Sequence, residues 1–287
     1  MNNLWNWASD NNIPDSVIPR DENKLLGMTK LHIGKYSGYV IKGSAFADFN
    51  EDDITYIPKE IGNLKNLEEL HIFSSKEGSL PVELFNLVNL KCLSISNVKI
   101  KELNQKIGQL KNLTNLSFEN NSLLKLPMQL FNLTNLTKLV ILNNPIKELP
   151  REIGNLVNLE DLFITGSKIS TLPEEFGKLI KIDQLVLDNN SIENIPSEIG
   201  NLENLESLCL ANNKLTSIPS EVTLLSKLRI LRLSNNQIID MPDGMEWLLN
   251  LTDIYLKGNK FENILETMSK LIDYTNTKNR PKLSISV

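Results

Sequence analysis

From residue 67 onward a leucine or isoleucine recurs every 23 residues, at Leu67, Leu90, Leu113, Leu136, Leu159, Ile182, Leu205, Leu228 and Leu251. Within each unit the same offsets return, as in Leu136, Leu139, Ile141, Asn144, Ile146, Leu149, Pro150, Ile153 and Leu156. A fixed period of this length marks a repeat architecture, in which a unit buries its apolar face only by stacking on its neighbours. The first half of each unit, LxxLxLxxN, alternates apolar and variable residues with period two, which predicts one short strand buried on one face. The fourth and sixth positions point into the core, so the third, fifth and seventh present the opposite, solvent-facing side.

The second half of each unit reads LPxEIGNLxN. Proline at Pro58, Pro81, Pro127, Pro150, Pro173, Pro196, Pro219 and Pro242 suits the first position of a short helical turn. The glutamates two residues later (Glu60, Glu83, Glu152, Glu175, Glu198, Glu221) resemble a carboxylate array, but they sit at the positive end of each turn, where helix-dipole electrostatics accounts for them. Asparagine fills the ninth position at Asn121, Asn144, Asn190, Asn213, Asn236 and Asn259, where its side-chain amide can both donate to and accept from neighbouring backbone, and the stacked amides would form a hydrogen-bonded ladder between turns. Ser75, Val98 and Ser167 interrupt that column, so a weaker ladder is expected toward the N-terminal third.

The pattern also sets the organisation. Met28, Leu31 and Ile33 begin a first unit that Ile54, Ile57 and Pro58 complete, but it spans 39 residues. Sixteen are inserted, and the aromatic-rich stretch at about 35–53 reads as a hairpin or ordered flap. Residues 1–27, with Trp5, Trp7, Ile13 and the amphipathic RDENKLLGM, read as an N-terminal helical cap, because a terminal repeat otherwise exposes core. Residues 28–273 form the repeat domain of about ten units, whose last carries Ile264, Leu265, Met268, Leu271 and Ile272 on one face of a capping helix. Residues 274–287 are a tail in which Leu283, Ile285 and Val287 alternate, as an edge strand or as disordered chain.

The segments LPREIGNLVNLEDLFITGSKIS and LPEEFGKLIKIDQLVLDNNSIENIPSEIG resemble the 23-residue leucine-rich repeats common in bacterial and plant intracellular proteins, over about residues 28–273. The resemblance implies an α/β solenoid: a horseshoe with a parallel concave β-sheet, short helical or 3-10 turns on the convex side, and helical caps at both ends. It says little about function, since the family hosts receptors, regulators, effectors and scaffolds. Some of its effectors add a catalytic ubiquitin-ligase domain after the repeats, which the 14 residues here do not match.

Composition narrows the field. A 41% apolar content lines a continuous core with no excess for membrane insertion, and a net charge of −5 with no large basic cluster argues against nucleic-acid binding. No apolar run is long enough for membrane insertion, and the start has no signal-peptide pattern, so a cytoplasmic location is the expectation, with signal-independent secretion as an effector left open. Cys92 and Cys209 lie five repeats apart, beyond disulfide reach, which fits a reducing compartment. No catalytic triad, phosphate loop or CxxC is present, so neither an enzyme nor a cofactor is expected. The Asn-Leu-Thr triplets at Asn112, Asn132, Asn135 and Asn250 imitate glycosylation sites but place leucine in the core, and they read as by-products of the repeat.

Function must therefore reside in the outward columns. The fifth runs His32, His71, Ser94, Ser117, Val140, Phe163, Val186, Cys209, Arg232 and Tyr255. Val140, Leu142, Phe163 and Val186 make an apolar patch edged by Glu119, Lys138, Asp161 and Asp188, the composition of a protein-partner site. Val140, Leu142, Phe163 and Val186, with Glu119 and Asp188 of the edge and with Phe73, Arg232 and Tyr255, are the candidate partner-binding residues. The two histidines, with Glu69 as the one other evident ligand, are read as solvated, and no metal is expected. At the twentieth position Asn gives way to Leu224 and Trp247, explained by packing of the C-terminal cap or, alternatively, by self-association, although a monomer is favoured over a dimer. The leading expectation is a non-catalytic protein-protein interaction module, such as a bacterial effector or scaffold, holding a partner of unknown identity on its concave face. The alternatives are a small-molecule or glycan receptor using Phe73, Arg232, Tyr255 and the histidines, and a regulatory subunit of an enzyme.

Overall fold

The computed structural model describes residues 1–34, 54–262 and 283–286. The expected flap at about 35–53, the capping helix built on Ile264 to Ile272, and Val287 lie outside the described residues. The chain divides into two compact units, Met1–Leu136 and Thr137–Val287. Both alternate strands with 3-10 turns, and in both each strand pairs in parallel with the next along the chain.

In the first unit the strands are β1 (Lys30–Ile33), β2 (Glu69–Phe73), β3 (Cys92–Ser96) and β4 (Asn115–Glu119). The 23-residue period becomes register directly: His32 pairs with His71, which pairs with Ser94, which pairs with Ser117. Helix α1 (Asn2–Asp10) buries Leu4, Trp7 and Ala8, and the Trp7 indole donates to the Tyr56 carbonyl at 2.7 Å. Asn11, just after this helix, accepts from the Thr55 amide at 2.7 Å, so backbone groups at the start of the stack are satisfied by the N-terminal segment. Helix α2 (Glu22–Leu26) is capped by Asp21, which accepts from the Lys24 amide, and it buries Leu25.

The second unit holds β5 (Lys138–Leu142), β6 (Asp161–Thr165), β7 (Gln184–Val186), β8 (Ser207–Cys209), β9 (Ile230–Arg232), β10 (Asp253–Tyr255) and β11 (Ser284–Ser286). The last strand runs parallel to β10 with Ile285 opposite Ile254, so the tail's alternation forms an edge strand. In β5 and β6 the first, third and fifth residues are half-buried while the second and fourth are fully buried, as the period-two pattern predicts. The core is a stack of leucine and isoleucine columns; Leu136, Leu139, Ile141, Ile146, Ile153 and Leu156 of one repeat all have zero exposure.

One feature departs from the sequence reading. Proline precedes the helical turn instead of occupying its first residue: Pro150 is extended (ψ 158°), and its carbonyl accepts from Ile153 at 3.0 Å, closing the i→i+3 ring of a 3-10 turn. The asparagine column bonds to neighbouring backbone, as expected. Asn213 donates to the Leu187 carbonyl one repeat earlier at 3.0 Å and accepts from the Ile192 amide of that same turn at 2.9 Å. Asn236 and Asn259 repeat the arrangement, because a turn leaves backbone donors and acceptors that need partners more than the side chains need one another. Even in the first unit Asn121 bonds in this way to Ile95 and Val98.

A second ladder, unforeseen in the sequence, runs through the last position of several repeats. Asn112, Asn135 and Asn250 donate to the carbonyls of Val88, Lys111 and Ser226, 24 residues back. These are three of the four asparagines of the apparent glycosylation triplets, and their amides serve the scaffold. The eighth position is the other one missed: Ser74, Asn97, Asn120, Asn143, Gly166, Asn189, Asn212, Asn235 and Gly258 all adopt the left-handed backbone conformation, with φ between 50° and 79°. Asparagine and glycine tolerate it best, and it turns the chain out of the strand.

Candidate functional site

The solvent-facing side of the sheet in the second unit is built from residues that parallel pairing places side by side. Val140 pairs with Phe163, Phe163 with Val186, Val186 with Cys209, Cys209 with Arg232 and Arg232 with Tyr255. Leu142 pairs with Thr165 beside them. Val140, Leu142, Phe163 and Val186 are half-buried, because strands so closely spaced let neighbouring side chains cover one another. The result is a half-buried apolar strip.

Charges fix its borders. Lys138 bonds to Asp161 at 2.8 Å while its ammonium lies 4.9 Å from the centre of the Phe163 ring, so one cation serves both a carboxylate and an aromatic face. At the other end Arg232 stacks 5.3 Å from the Tyr255 ring and reaches Asp188 at 3.5 Å. Asp188 also accepts from the Ala211 amide at 2.7 Å. Its carboxyl is nonetheless held above the usual range, since burial outweighs the stabilisation from Ala211 and Arg232. Below the strip, burial and then the carboxylates of Asp161, Glu206 and Glu160 push Asp183 upward, which marks an acidic edge.

In the first unit the fifth column is polar. The rings of His32 and His71 meet edge to face with centroids 4.5 Å apart, and Glu69, two residues before His71, joins them: one ligand atom from each of the three lies within 4.8 Å of the others. Glu69 also pairs with Lys30 at 2.7 Å. Burial, followed by the neighbouring His32, depresses His71 to about 4, with Glu69 opposing; burial likewise lowers His32. Cys92, opposite Glu69 in register, lies 3.8 Å from His71 Nε2, and burial raises its thiol to about 11. The sequence reading overlooked Cys92, although taking the third column (Lys30, Glu69, Cys92) beside the fifth would have found it. Phe73 stacks against His71 at 6.1 Å and is buried, so its ring is not presented to solvent. Glu119, half-buried at the end of β4, accepts from the Asn97 amide through its carbonyl.

Leu224, Trp247 and Leu249 are 63%, 68% and 49% exposed. The residues expected to pack over them lie outside the described residues. Both cysteines are unpaired thiols. No helix among the described residues is long and apolar enough to cross a membrane.

Residues 175–276 match the model described as a leucine-rich repeat region, and residues 134–192 match a leucine-rich repeat model. No curated protein matches the chain. Among solved structures, a leucine-rich repeat protein of Leptospira interrogans is 28% identical over 92% of this chain and 73% of that one, with a TM-score of 0.61. The ectodomain of the plant membrane receptor kinase GASSHO1/SCHENGEN3 from Arabidopsis thaliana, solved in complex with Casparian strip integrity factor 2, is also 28% identical. That alignment covers 90% of this chain but 30% of the ectodomain, with a TM-score of 0.70. An internalin of Listeria monocytogenes, 23% identical over 91% of this chain and 74% of its own, shares the fold with a TM-score of 0.66. With its parallel strands in chain order, its 3-10 turns and its 23-residue period, the chain is a leucine-rich repeat protein.

Proposed function

We propose that the protein is a non-catalytic binding module that holds a partner protein on the solvent-facing side of its sheet, centred on Val140, Phe163, Val186 and Leu142. The observation that carries this reading is the in-register apolar strip of β5 to β7, bordered by the Lys138–Asp161 and Arg232–Asp188 pairs. Interfaces place apolar anchors at the centre and satisfied polar groups at the rim. A rigid sheet also loses little conformational entropy on association, so a small strip suffices. The acidic edge of Asp161, Asp183, Glu160 and Glu206 favours a partner that presents an apolar side chain next to a cation. The similar plant ectodomain, seen in complex with its integrity factor, supports a binding role for the fold.

The glycan-receptor alternative is weakened by the burial of Phe73, which leaves Phe163 and Tyr255 as its candidate aromatic rings among the described residues. Affinity capture with the wild-type chain, a Leu142→Ser/Phe163→Ser double variant and a Met128→Ser control tests the proposal. Wild type and control should retain a protein that the double variant loses. Retention of the same proteins by all three would overturn it.

A further inference from the structure

We propose that His32, His71 and Glu69 form a binding site for a divalent transition-metal ion of the zinc and nickel type, on the sheet face of the first unit. Three observations converge on it. The only two histidines of the chain occupy the same column of adjacent strands and are exact register partners, which brings their rings to 4.5 Å. Glu69 sits two residues before His71 on the same face of β2, and a donor atom from each residue falls within 4.8 Å of the others. All three side chains are half-buried, so the site is walled by the sheet yet open to solvent.

A tetrahedral zinc ion, with bonds of about 2.0–2.2 Å, holds its ligand atoms about 3.4 Å apart. The donors therefore need to close by roughly 1.4 Å, which side-chain rotations of histidine and glutamate supply without backbone movement. Two imidazoles and a carboxylate suit zinc, nickel or copper, whereas calcium and magnesium prefer oxygen ligands. Three protein ligands leave a fourth position for water. The present partner of Glu69 is the Lys30 ammonium, whose side chain is 63% exposed and which a bound dication would displace. Cys92 stands beside the site but outside the ligand set. The residues of the site lie in Met1–Leu136, and those of the proposed partner strip lie in Thr137–Val287.

Isothermal titration and equilibrium dialysis of the untagged full chain with zinc chloride, after removal of metal by chelator, test the assignment. The expected result is one equivalent bound with micromolar or tighter affinity, and a rise in melting temperature with zinc but not with magnesium. His71→Gln, His32→Gln and Glu69→Gln should each weaken binding by more than the roughly tenfold that loss of an outer-shell partner costs. Cys92→Ser should bind as wild type does. Glu69→Gln, a change at a half-exposed side chain, keeps the test decisive if a histidine variant does not fold. Failure of the wild type to retain zinc, wild-type affinity in Glu69→Gln and the histidine variants, or loss of binding in Cys92→Ser would each overturn the site.

Discussion

At the scale of single residues, the buried polar groups are the sensitive ones. Asn213 makes bonds to two successive turns from a buried position, so Asn213→Ala leaves several backbone groups without partners at once. A loss of about 1–3 kcal/mol in stability by chemical denaturation is the expected cost. His71 gives a pH signature. The folded chain holds its imidazole near 4 while the unfolded value is 6.5, so between these limits the unfolded state binds a proton that the folded state excludes. Stability from this group is complete above about pH 6.5 and is lost as pH falls toward 4. The groups facing it are His32, Glu69, Lys30 and Cys92. Melting temperatures at neutral and mildly acidic pH should fall less in His71→Gln than in wild type; equal falls would remove the histidine from the account. The apolar columns and the asparagine column were legible residue by residue, because burial and hydrogen-bonding demand recur with the period. The left-handed eighth position and the second asparagine ladder were not, because a backbone dihedral leaves only a weak Asn and Gly preference in a sequence.

At the scale of elements, the strands appeared where LxxLxLxxN placed them, since period-two burial depends only on local geometry. The proline was displaced by one position, because its fixed φ suits the extended residue before a 3-10 turn as well as the turn itself. How closely the turns approach was hidden. At Gly154 a β-carbon would lie 2.7 Å from the Glu175 carbonyl oxygen and 2.9 Å from the Glu175 β-carbon, and Gly177 and Gly200 meet the following turn in the same way. Glycine there is a stacking requirement, not a matter of flexibility. Gly154→Val should cost about 1–3 kcal/mol through overpacking, read by denaturant titration, whereas Val157→Thr on the exposed side of the same loop should be nearly silent. Similar stability in both variants would show that adjacent turns can separate without penalty.

At the scale of the whole molecule, the repeat takes most positions for itself and leaves the outward columns and the exposed Leu224 and Trp247 to be explained. The candidate strip could be located in the sequence because register in a parallel stack is set by the period. Its charge pairs could not, because side-chain reach decides whether Lys138 meets Asp161 or Phe163, and both contacts form. Light scattering coupled to size exclusion should give a monomer of 32.5 kDa; a dimer that Trp247→Asn dissolves would assign Leu224 and Trp247 to self-association instead. The most direct test of the central claim is the dissociation constant of the captured partner for wild type and for Phe163→Ser. Binding should weaken at least about tenfold, the effect of losing an aromatic anchor, with the melting temperature nearly unchanged. An affinity within twofold of wild type, roughly the noise of neutral interface positions, would contradict it.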